Sequence, residues 1–250
     1  MSANLWNLNE PLTRRMALLS DAIERLRPDV IALQEVRPLA GTRARMQLEL
    51  IPALADYHLT TCMSLAWDDG AEGLAVATRV RPDETCAYRL PGAGHEFEPD
   101  RAAQYVRIAW GDGSLGVLNT HLAYHPTSEA LRVSQASFVG AVAGELAEAR
   151  PDDGLVVCGD LNARPASEPV ARLRALGGLD NPLLALSEEK NSYAAANPYV
   201  GGDPDADSWL DYILTRNVTA SGARLIDDWP DGPASDHYFP VLEVAPLPRP

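Results

Sequence analysis

Short apolar runs of strand length recur along the whole chain. They lie at residues 3–6, 30–36, 58–67, 73–78, 104–110, 115–122, 154–162, 209–214 and 237–244. Runs of this length that end in Gly, Pro, Asn or Asp are typical of β-strands. The pattern therefore predicts a protein built mainly from sheets.

Two stretches have the three- and four-residue spacing of a helix instead. One runs over residues 16–26 and ends before Pro28, and the other runs over residues 131–146 and ends before Pro151. Predicted strands outnumber helices, and several strands follow one another directly. This order favours an α/β (α+β) fold of mixed sheets with helices outside over a barrel of strict alternation. Residues 177–208, rich in Gly, Pro, Asn and Asp, are predicted to be loop.

A length of 250 residues is within reach of one large domain, and we expect a single domain over residues 1–250. No apolar stretch approaches the roughly 20 residues that a membrane helix needs. Cys62, Cys86 and Cys158 have no metal-like spacing, which indicates free thiols. We expect a cytoplasmic protein without stable membrane insertion, unless a secretory leader has been removed.

The charge of the chain is strongly acidic. With 21 basic and 35 acidic residues, the net charge is −14. Such a field repels polyanions at long range and weighs against non-specific binding of nucleic acid. Chemistry on phosphate esters stays open, because a bound metal cation reverses the local charge.

Three motifs suggest functions that their context does not support. The pattern GxGxxG at residues 111–116 is flanked by strand-like runs on both sides, so a hairpin turn is the better interpretation. The acidic run at residues 203–207 lacks the glycine and the final glutamate of a calcium loop. Ser235, Asp236 and His237 are neighbours, and neighbours on an extended chain point to opposite faces, so they do not form a hydrolytic triad.

A second group of polar residues lies at or beside the ends of the apolar runs. Asp160 and Asn162 are two positions apart, which on a strand would point both side chains the same way. Any one such residue is more often structural than functional. Gathered at one rim, carboxylates, amides and histidines would form an oxygen-rich metal site with two imidazoles beside it. The members are Asn4, Glu35, His121, Asp160, Asn162, Asp211, Asp236 and His237.

The motifs around these residues resemble those of the endonuclease/exonuclease/phosphatase superfamily. SANLW, LQEV, NTHL, GDLNARP, WLDYIL and SDHYFPV occur in that order over essentially the whole chain. The superfamily includes pancreatic-type deoxyribonucleases, abasic-site endonucleases, inositol-polyphosphate 5-phosphatases and neutral sphingomyelinases. The resemblance implies a four-layer sandwich, with two mixed sheets face to face, helices outside and one divalent-cation site at the rim.

The resemblance also implies roles for the metal and water side of the site. Glu35 is similar to the principal Mg2+ ligand, with Asn4 and Asp236 beside it, and Mn2+ is expected to substitute. Asp160 resembles the base that orients or deprotonates the attacking water. Asn162 resembles the amide that holds a phosphate oxygen.

Further roles are implied for the phosphate side. His237 resembles the imidazole that stabilises charge in the transition state, with Asp211 as the acid that orients it and keeps it cationic. His121 resembles a second histidine that contacts phosphate or protonates the leaving oxygen. Glu72 lies where some members place a carboxylate behind that histidine, and Arg101 is a candidate cation on the phosphate side.

These expectations define one leading function and two alternatives. The leading function is Mg2+-dependent hydrolysis of a phosphodiester or phosphomonoester by water activated by Asp160, and the acidic charge favours a small molecule or phospholipid headgroup as substrate. The first alternative is an endonuclease or exonuclease on DNA or RNA, and the second is a catalytically inactive binding module. The oligomeric state stays open. A nuclease would line its groove with arginines, for which the candidates are Arg37, Arg43, Arg45, Arg79 and Arg164.

Overall fold

The computed structural model describes residues 1–39, 45–67, 70–185 and 191–247. The α-helices of this part of the chain are α1 (Leu12–Leu26), α2 (Glu129–Ala149) and α3 (Glu168–Gly177). Its strands are β1 (Ser2–Asn4), β2 (Val30–Val36), β3 (His58–Trp67), β4 (Gly70–Thr78), β5 (Glu84–Arg89), β6 (Ala102–Trp110), β7 (Gly113–His121), β8 (Gly154–Asp160), β9 (Asp211–Arg216), β10 (Val218–Ile226) and β11 (Phe239–Pro246).

The strands form two mixed sheets and a separate hairpin. One sheet has the order β1-β2-β4-β3, in which β1 and β2 are parallel and the other pairs are antiparallel. The second has the order β5-β6-β7-β8-β9, in which β7 and β8 are the parallel pair. β10 and β11 pair antiparallel with each other. The predicted mixed sheets are therefore confirmed.

Strand β2 shows how the layers are stacked. Ile31 and Leu33 share a core with Leu19 of α1, whereas Ala32, on the other face of the strand, belongs to the core of the five-stranded sheet. That second core also contains Val139 of α2. Alternate residues of one strand thus contact a helix and the opposing sheet, as the period of two requires. The result is the predicted order of helix, sheet, sheet and helix.

Some elements have a sequence pattern too weak to predict. β5 is mostly exposed, β10 alternates poorly, and α3 is a short helix that begins with Glu168 and Pro169. The predicted hairpin turn at residues 111–116 is confirmed, because β6 and β7 pair from Trp110 and Gly113 onwards. The predicted loop at residues 177–208 contains one short 3-10 helix, Pro182–Ala185, and no strand or α-helix in its described part beyond the end of α3. Among the described helices, none is long and apolar enough to cross a membrane.

Candidate active site

Three neighbouring strands bring three of the predicted polar residues together at one rim of the sandwich. In the register of the five-stranded sheet, His121 of β7 pairs with Asp160 of β8, which in turn pairs with Asp211 of β9. On the other sheet, Asn4 ends β1 and Glu35 lies near the end of the parallel strand β2. The two sheets therefore present their polar ends at the same edge of the sandwich.

The turn after β8 places Asp160 and Asn162. Gly159 has a φ of +137°, and a Cβ there would collide with the carbonyl oxygen of Thr120 on β7, so only glycine fits. The strand ends at Asp160, and Asn162 has a left-handed φ of +46°. The backbone N–H of Asn162 donates to Asp160 Oδ1 at 2.8 Å. The expectation that both lie on one strand face is thus wrong, since an Asx-type turn brings them together instead.

Glu35 lies on a β-bulge. The register between β2 and β4 shifts between Leu33 and Val36, and Glu35 has a φ of +57°. Non-glycine residues in this region are strained and are concentrated at functional sites. Burial, with added repulsion from Glu72 and Asp236, raises the pKa of Glu35 to about 8. The groups around Glu35 therefore do little to neutralise the negative charge of its carboxylate.

Asn4 joins the carboxylates of the two sheets. Its Nδ2 donates to Glu35 Oε1 at 3.1 Å and to Asp160 Oδ2 at 3.0 Å. Its Oδ1 accepts the backbone N–H of Trp6 at 2.9 Å. In this arrangement the amide orients two carboxylates, and its oxygen accepts one of the two hydrogen bonds that a carbonyl oxygen can accept. Burial, and the nearby charge of Asp211, raise the pKa of Asp160 to about 6.

His237 is held by carboxylates. Its Nδ1 lies 2.7 Å from Asp211 Oδ2, and its Nε2 lies 3.8 Å from Asp160 Oδ2. Burial alone would lower the pKa of His237, but the charges of Asp211, Asp236 and Asp160 outweigh it and raise the pKa well above the usual 6.5. Ser192 Oγ accepts the backbone N–H of Asp211 at 3.1 Å and helps to fix the pair. The three carboxylates therefore favour the imidazolium form of this ring.

His121 is held by a guanidinium. Arg101 Nη1 lies 2.9 Å from His121 Nδ1 and 3.1 Å from Glu72 Oε1. Because a guanidinium can only donate, Nδ1 must accept, and the proton of the neutral ring lies on Nε2. Burial, together with the positive charges of Arg101 and His237, lowers the pKa of His121 well below 6.5. Nε2 lies 3.6 Å from Asp160 Oδ2, towards which its proton can point. It also lies 3.1 Å from Asn162 Nδ2, but two donors form no hydrogen bond, and this amide donates to the carbonyl oxygen of Leu122 instead.

Arg101 and Glu72 lie behind His121. The Arg101 side chain is buried, and its position between the ring and Glu72 means that this carboxylate reaches the histidine only through the guanidinium. Arg101 therefore does not line the cavity at the rim, where the sequence placed a candidate cation for phosphate.

A cavity of about 680 Å³ opens at this rim. Tyr193, from the loop before β9, forms part of its wall, with its ring 5.2 Å from that of His237 and its hydroxyl donating to Asp203 at 2.8 Å. Sequence reasoning missed Tyr193 and also Tyr124, since loop aromatics follow no period. Six of the eight polar residues predicted to gather at the rim line the cavity, namely Glu35, His121, Asp160, Asn162, Asp236 and His237.

The arginines proposed for a nuclease groove are scattered. Arg45 pairs with Glu49, and Arg79 stacks on the ring of Tyr57. Among the four that the structure describes, only Arg164 lines the cavity. Arg43 lies outside the described residues. No continuous arginine groove is formed by the described members of this set.

The donor set fits a divalent cation. Glu35 and Asp236 open into the cavity, and ligand atoms of Asp160, Asp211 and His237 all lie within 4.8 Å of one another. Asp211 Oδ1 is buried and lacks a hydrogen-bond partner in the described part of the chain. Burial also raises the pKa of Asp236. Buried, mutually repelling carboxylates are what a hard cation neutralises, and oxygen donors suit Mg2+.

Known proteins share this fold. A humanized TDP2 of D. rerio has a TM-score of 0.72 and 21% identity, covering 95% of this chain and 94% of its own. SmcL has a TM-score of 0.72 and 20% identity over 96% of both chains. The human Nocturnin catalytic domain, solved with bound sulfate, has a TM-score of 0.70 and 19% identity over 96% of this chain and 93% of its own. No curated protein matches the chain in sequence.

The sequence profile described as "Endonuclease/Exonuclease/phosphatase family" matches residues 1–237. The match includes every element from β1 to His237, and hence both sheets and all the polar ends gathered at the rim. The chain therefore belongs to the endonuclease/exonuclease/phosphatase family of metal-dependent phosphoric ester hydrolases.

Proposed function

We propose that this protein is a Mg2+-dependent phosphodiesterase that cleaves a small phosphate ester with a water activated by Asp160. The observation that carries the proposal is the single cavity into which Glu35, Asp160, Asn162, His121 and His237 all project. Hydrolysis of a phosphate ester needs a positioned water, a base and donors aimed at developing negative charge, and these side chains supply each of them.

Glu35 and Asp236 are the proposed ligands of the cation, and Asn4 orients Glu35. When bound, Mg2+ or Mn2+ supplies charge neutralisation of the phosphate oxygens. Asp160 takes the proton of the attacking water, whose oxygen forms a bond to phosphorus as the bond to the leaving oxygen breaks. A pKa of about 6 suits this role, because the carboxylate is ionised at neutral pH and still basic.

The two histidines contribute different interactions in this proposal. His237, kept cationic by Asp211, stabilises the negative charge that grows on the phosphate oxygens. His121 is neutral and donates from Nε2 to a phosphate or leaving oxygen. Asn162 lies within 3.1 Å of the same Nε2 and holds the phosphate beside it.

A small substrate is favoured over a polynucleotide by the charge around the cavity. Asp203 and Asp205 line it, and so does Arg164 of the set predicted for a nuclease. Arg132 lines it too, but its guanidinium is paired with Glu129 at 2.9 Å. The net charge of −14 also opposes a long polyanion. We further propose that the chain acts as one catalytic domain in a reducing, cytoplasmic compartment, in keeping with its free cysteines.

The test is hydrolysis of methyl 4-nitrophenyl phosphate, followed as release of nitrophenolate. We expect turnover with Mg2+ or Mn2+, no turnover with EDTA, and a fall of roughly a thousandfold in Asp160→Asn, which keeps the shape of the side chain and removes the base. The matched control is Asp152→Asn, the same change at an exposed position before β8. Near-normal turnover by Asp160→Asn would rule out the proposed base.

A further inference from the structure

Three aromatic rings form a strip that runs outwards from the wall of the cavity. Tyr124 lines the cavity, and its ring lies 6.2 Å from that of His125, edge to face. His125 in turn stacks on Phe97, with ring centroids 5.3 Å apart and planes at 22°. Tyr124 is 45% exposed and Phe97 is 47% exposed. We call Tyr124, His125 and Phe97 the aromatic strip.

Buried charges fix the strip in place. The carboxylate of Glu98 is inaccessible to solvent, and it accepts the backbone N–H of Tyr124 at 3.1 Å and that of His125 at 2.7 Å. Arg101 Nη2 lies 4.0 Å from the same carboxylate, and Arg101 Nη1 contacts His121. The backbone that carries Tyr124 and His125 is therefore anchored by the same buried charges that contact His121, which lowers the cost of ordering this segment when a ligand binds.

The chemistry of the strip favours a flat π system as its ligand. Rings that meet edge to face and face to face present π surfaces, on which nucleobases and other planar rings stack. An aliphatic lipid surface is a poorer match, because two of the exposed neighbours, Glu96 and Glu129, are acidic and one ring of the strip is an imidazole. The acidic wall formed by Asp203 and Asp205 favours one nucleoside over a long polyanion.

We propose that the aromatic strip is the subsite for a planar aromatic group, of the nucleobase class, attached to the reacting phosphate. The proposal rests on the proposed function, and it narrows the substrate from small phosphate esters in general to nucleoside esters. Tyr124 is the ring of the strip that the planar group would contact first, because it lines the same cavity as His121. The two residues are three positions apart in the sequence.

Two substrates with one leaving group test the subsite. Thymidine 5′-(4-nitrophenyl phosphate) and methyl 4-nitrophenyl phosphate differ only in the group that the strip would contact. We expect wild-type kcat/KM to favour the thymidine ester at least about fivefold, the lower end of what stacking on one base contributes. Tyr124→Leu should bring this ratio towards one, whereas Tyr124→Phe should keep it. Leu59→Ala, at an exposed apolar residue of β3, should leave the ratio unchanged.

Other outcomes would overturn the subsite. A wild-type ratio near one, with both esters hydrolysed, would remove the subsite and leave the phosphodiesterase intact. If Tyr124→Leu kept the preference of the wild-type protein for the thymidine ester, the contact would be apolar and would not be ring stacking. Loss of sedimentation with phosphatidylcholine vesicles in Phe97→Ser would identify a membrane surface instead.

If neither ester is hydrolysed, the proposed phosphodiesterase fails, and equilibrium binding decides the subsite separately. We expect thymidine 5′-monophosphate to bind wild-type protein more tightly than methyl phosphate does, and Tyr124→Leu to remove the difference. Equal binding of the two ligands by wild-type protein would overturn the subsite.

Discussion

The two sides of the active site hold the same residue type in opposite electrostatic surroundings. On one side His237 lies 2.7 Å from the carboxylate of Asp211, and its pKa is raised well above 6.5. On the other side His121 lies 2.9 Å from the guanidinium of Arg101, and its pKa is lowered well below 6.5. Both rings are buried, so the difference comes from the partner and not from exposure to solvent.

This contrast separates two tasks that a histidine can perform. A buried imidazolium stabilises developing negative charge, whereas a neutral imidazole with its proton on Nε2 donates a directed hydrogen bond. Arg101 also stands between His121 and Glu72, so the carboxylate cannot recharge the ring directly. The site therefore divides into a charge-stabilising side at His237 and a hydrogen-bonding side at His121.

The largest expected effect on turnover comes from removing the positive charge of His237. His237→Gln removes the cation beside the phosphate, and we expect kcat to fall by roughly a hundredfold to ten-thousandfold. The Mg2+ affinity, measured by calorimetry, should change little, because the proposed ligands are Glu35 and Asp236. A large loss of Mg2+ affinity would make His237 a ligand and would remove the contrast between the two histidines.

The pH dependence of kcat/KM provides the next test. At saturating Mg2+, the rate should fall about tenfold per pH unit on the acid side, as Asp160 is protonated. Its pKa of about 6 is an upper limit for this limb, because a bound cation lowers the pKa of a nearby carboxylate. The rate should then stay level through neutral pH, since His237 remains protonated and His121 remains neutral. If the rate instead fell steeply as the pH rose from 6 to 7, a cationic His121 would be required.

A smaller effect on turnover is expected when Arg101, the charged neighbour of His121, is replaced by an uncharged residue. Arg101→Met is made in a Glu72→Gln background, which removes the carboxylate that Arg101 Nη1 contacts, while the buried Glu98 keeps its two backbone donors. This change should raise the pKa of His121 towards its usual 6.5. The titration of His121 is followed by NMR, and kcat should fall about tenfold as the ring loses its orientation. Arg101→Lys in the same background keeps a donor and should partly restore both. An unchanged titration of His121 would show that burial alone sets its charge.

Local pattern predicted much of the fold and little of this contrast. The run predicted at residues 30–36 is β2, Val30–Val36, because its apolar residues are buried on both faces. β5 was missed, since an exposed edge strand needs no apolar pattern. Likewise, motif spacing predicted which polar residues gather at the rim, because strand ends in a layered sheet meet at one edge.

The cationic state of His237 follows from the Asp211 partner that the resemblance implies, but the neutral state of His121 could not be predicted from spacing. Arg101 reaches His121 across 20 positions, and Asn4 reaches Asp160 across 156. Contacts of this range depend on sheet register and side-chain packing, neither of which leaves a local signature. Tyr124 and Phe97 were overlooked for the same reason, since they come from different loops and each contacts the ring of His125. The roles assigned to the rim residues stay predictions.

The smallest expected effect concerns a buried hydrogen bond between the two sheets, which links the His237 side of the site to the His121 side. Gln34, next to Glu35, donates from Nε2 to Asn119 Oδ1 at 2.7 Å, and Asn119 lies two positions before His121. Asn119 Nδ2 also donates across the sheets to the carbonyl oxygens of Leu33 and Ala75. This buried pair thus joins the sheet that carries the metal ligand to the sheet that carries the histidine and the base.

Gln34→Leu should lower the free energy of unfolding by about 1–3 kcal/mol, because Asn119 Oδ1 is left buried without a donor. It should also raise the KM for Mg2+ more than it lowers kcat, since Glu35 moves and His121, on the other sheet, keeps Arg101. Urea denaturation and Mg2+ titration of the rate measure the two effects. If kcat fell as much as the Mg2+ affinity, the two sides of the site would depend on one another through this bond, and the division between them would apply to charge alone.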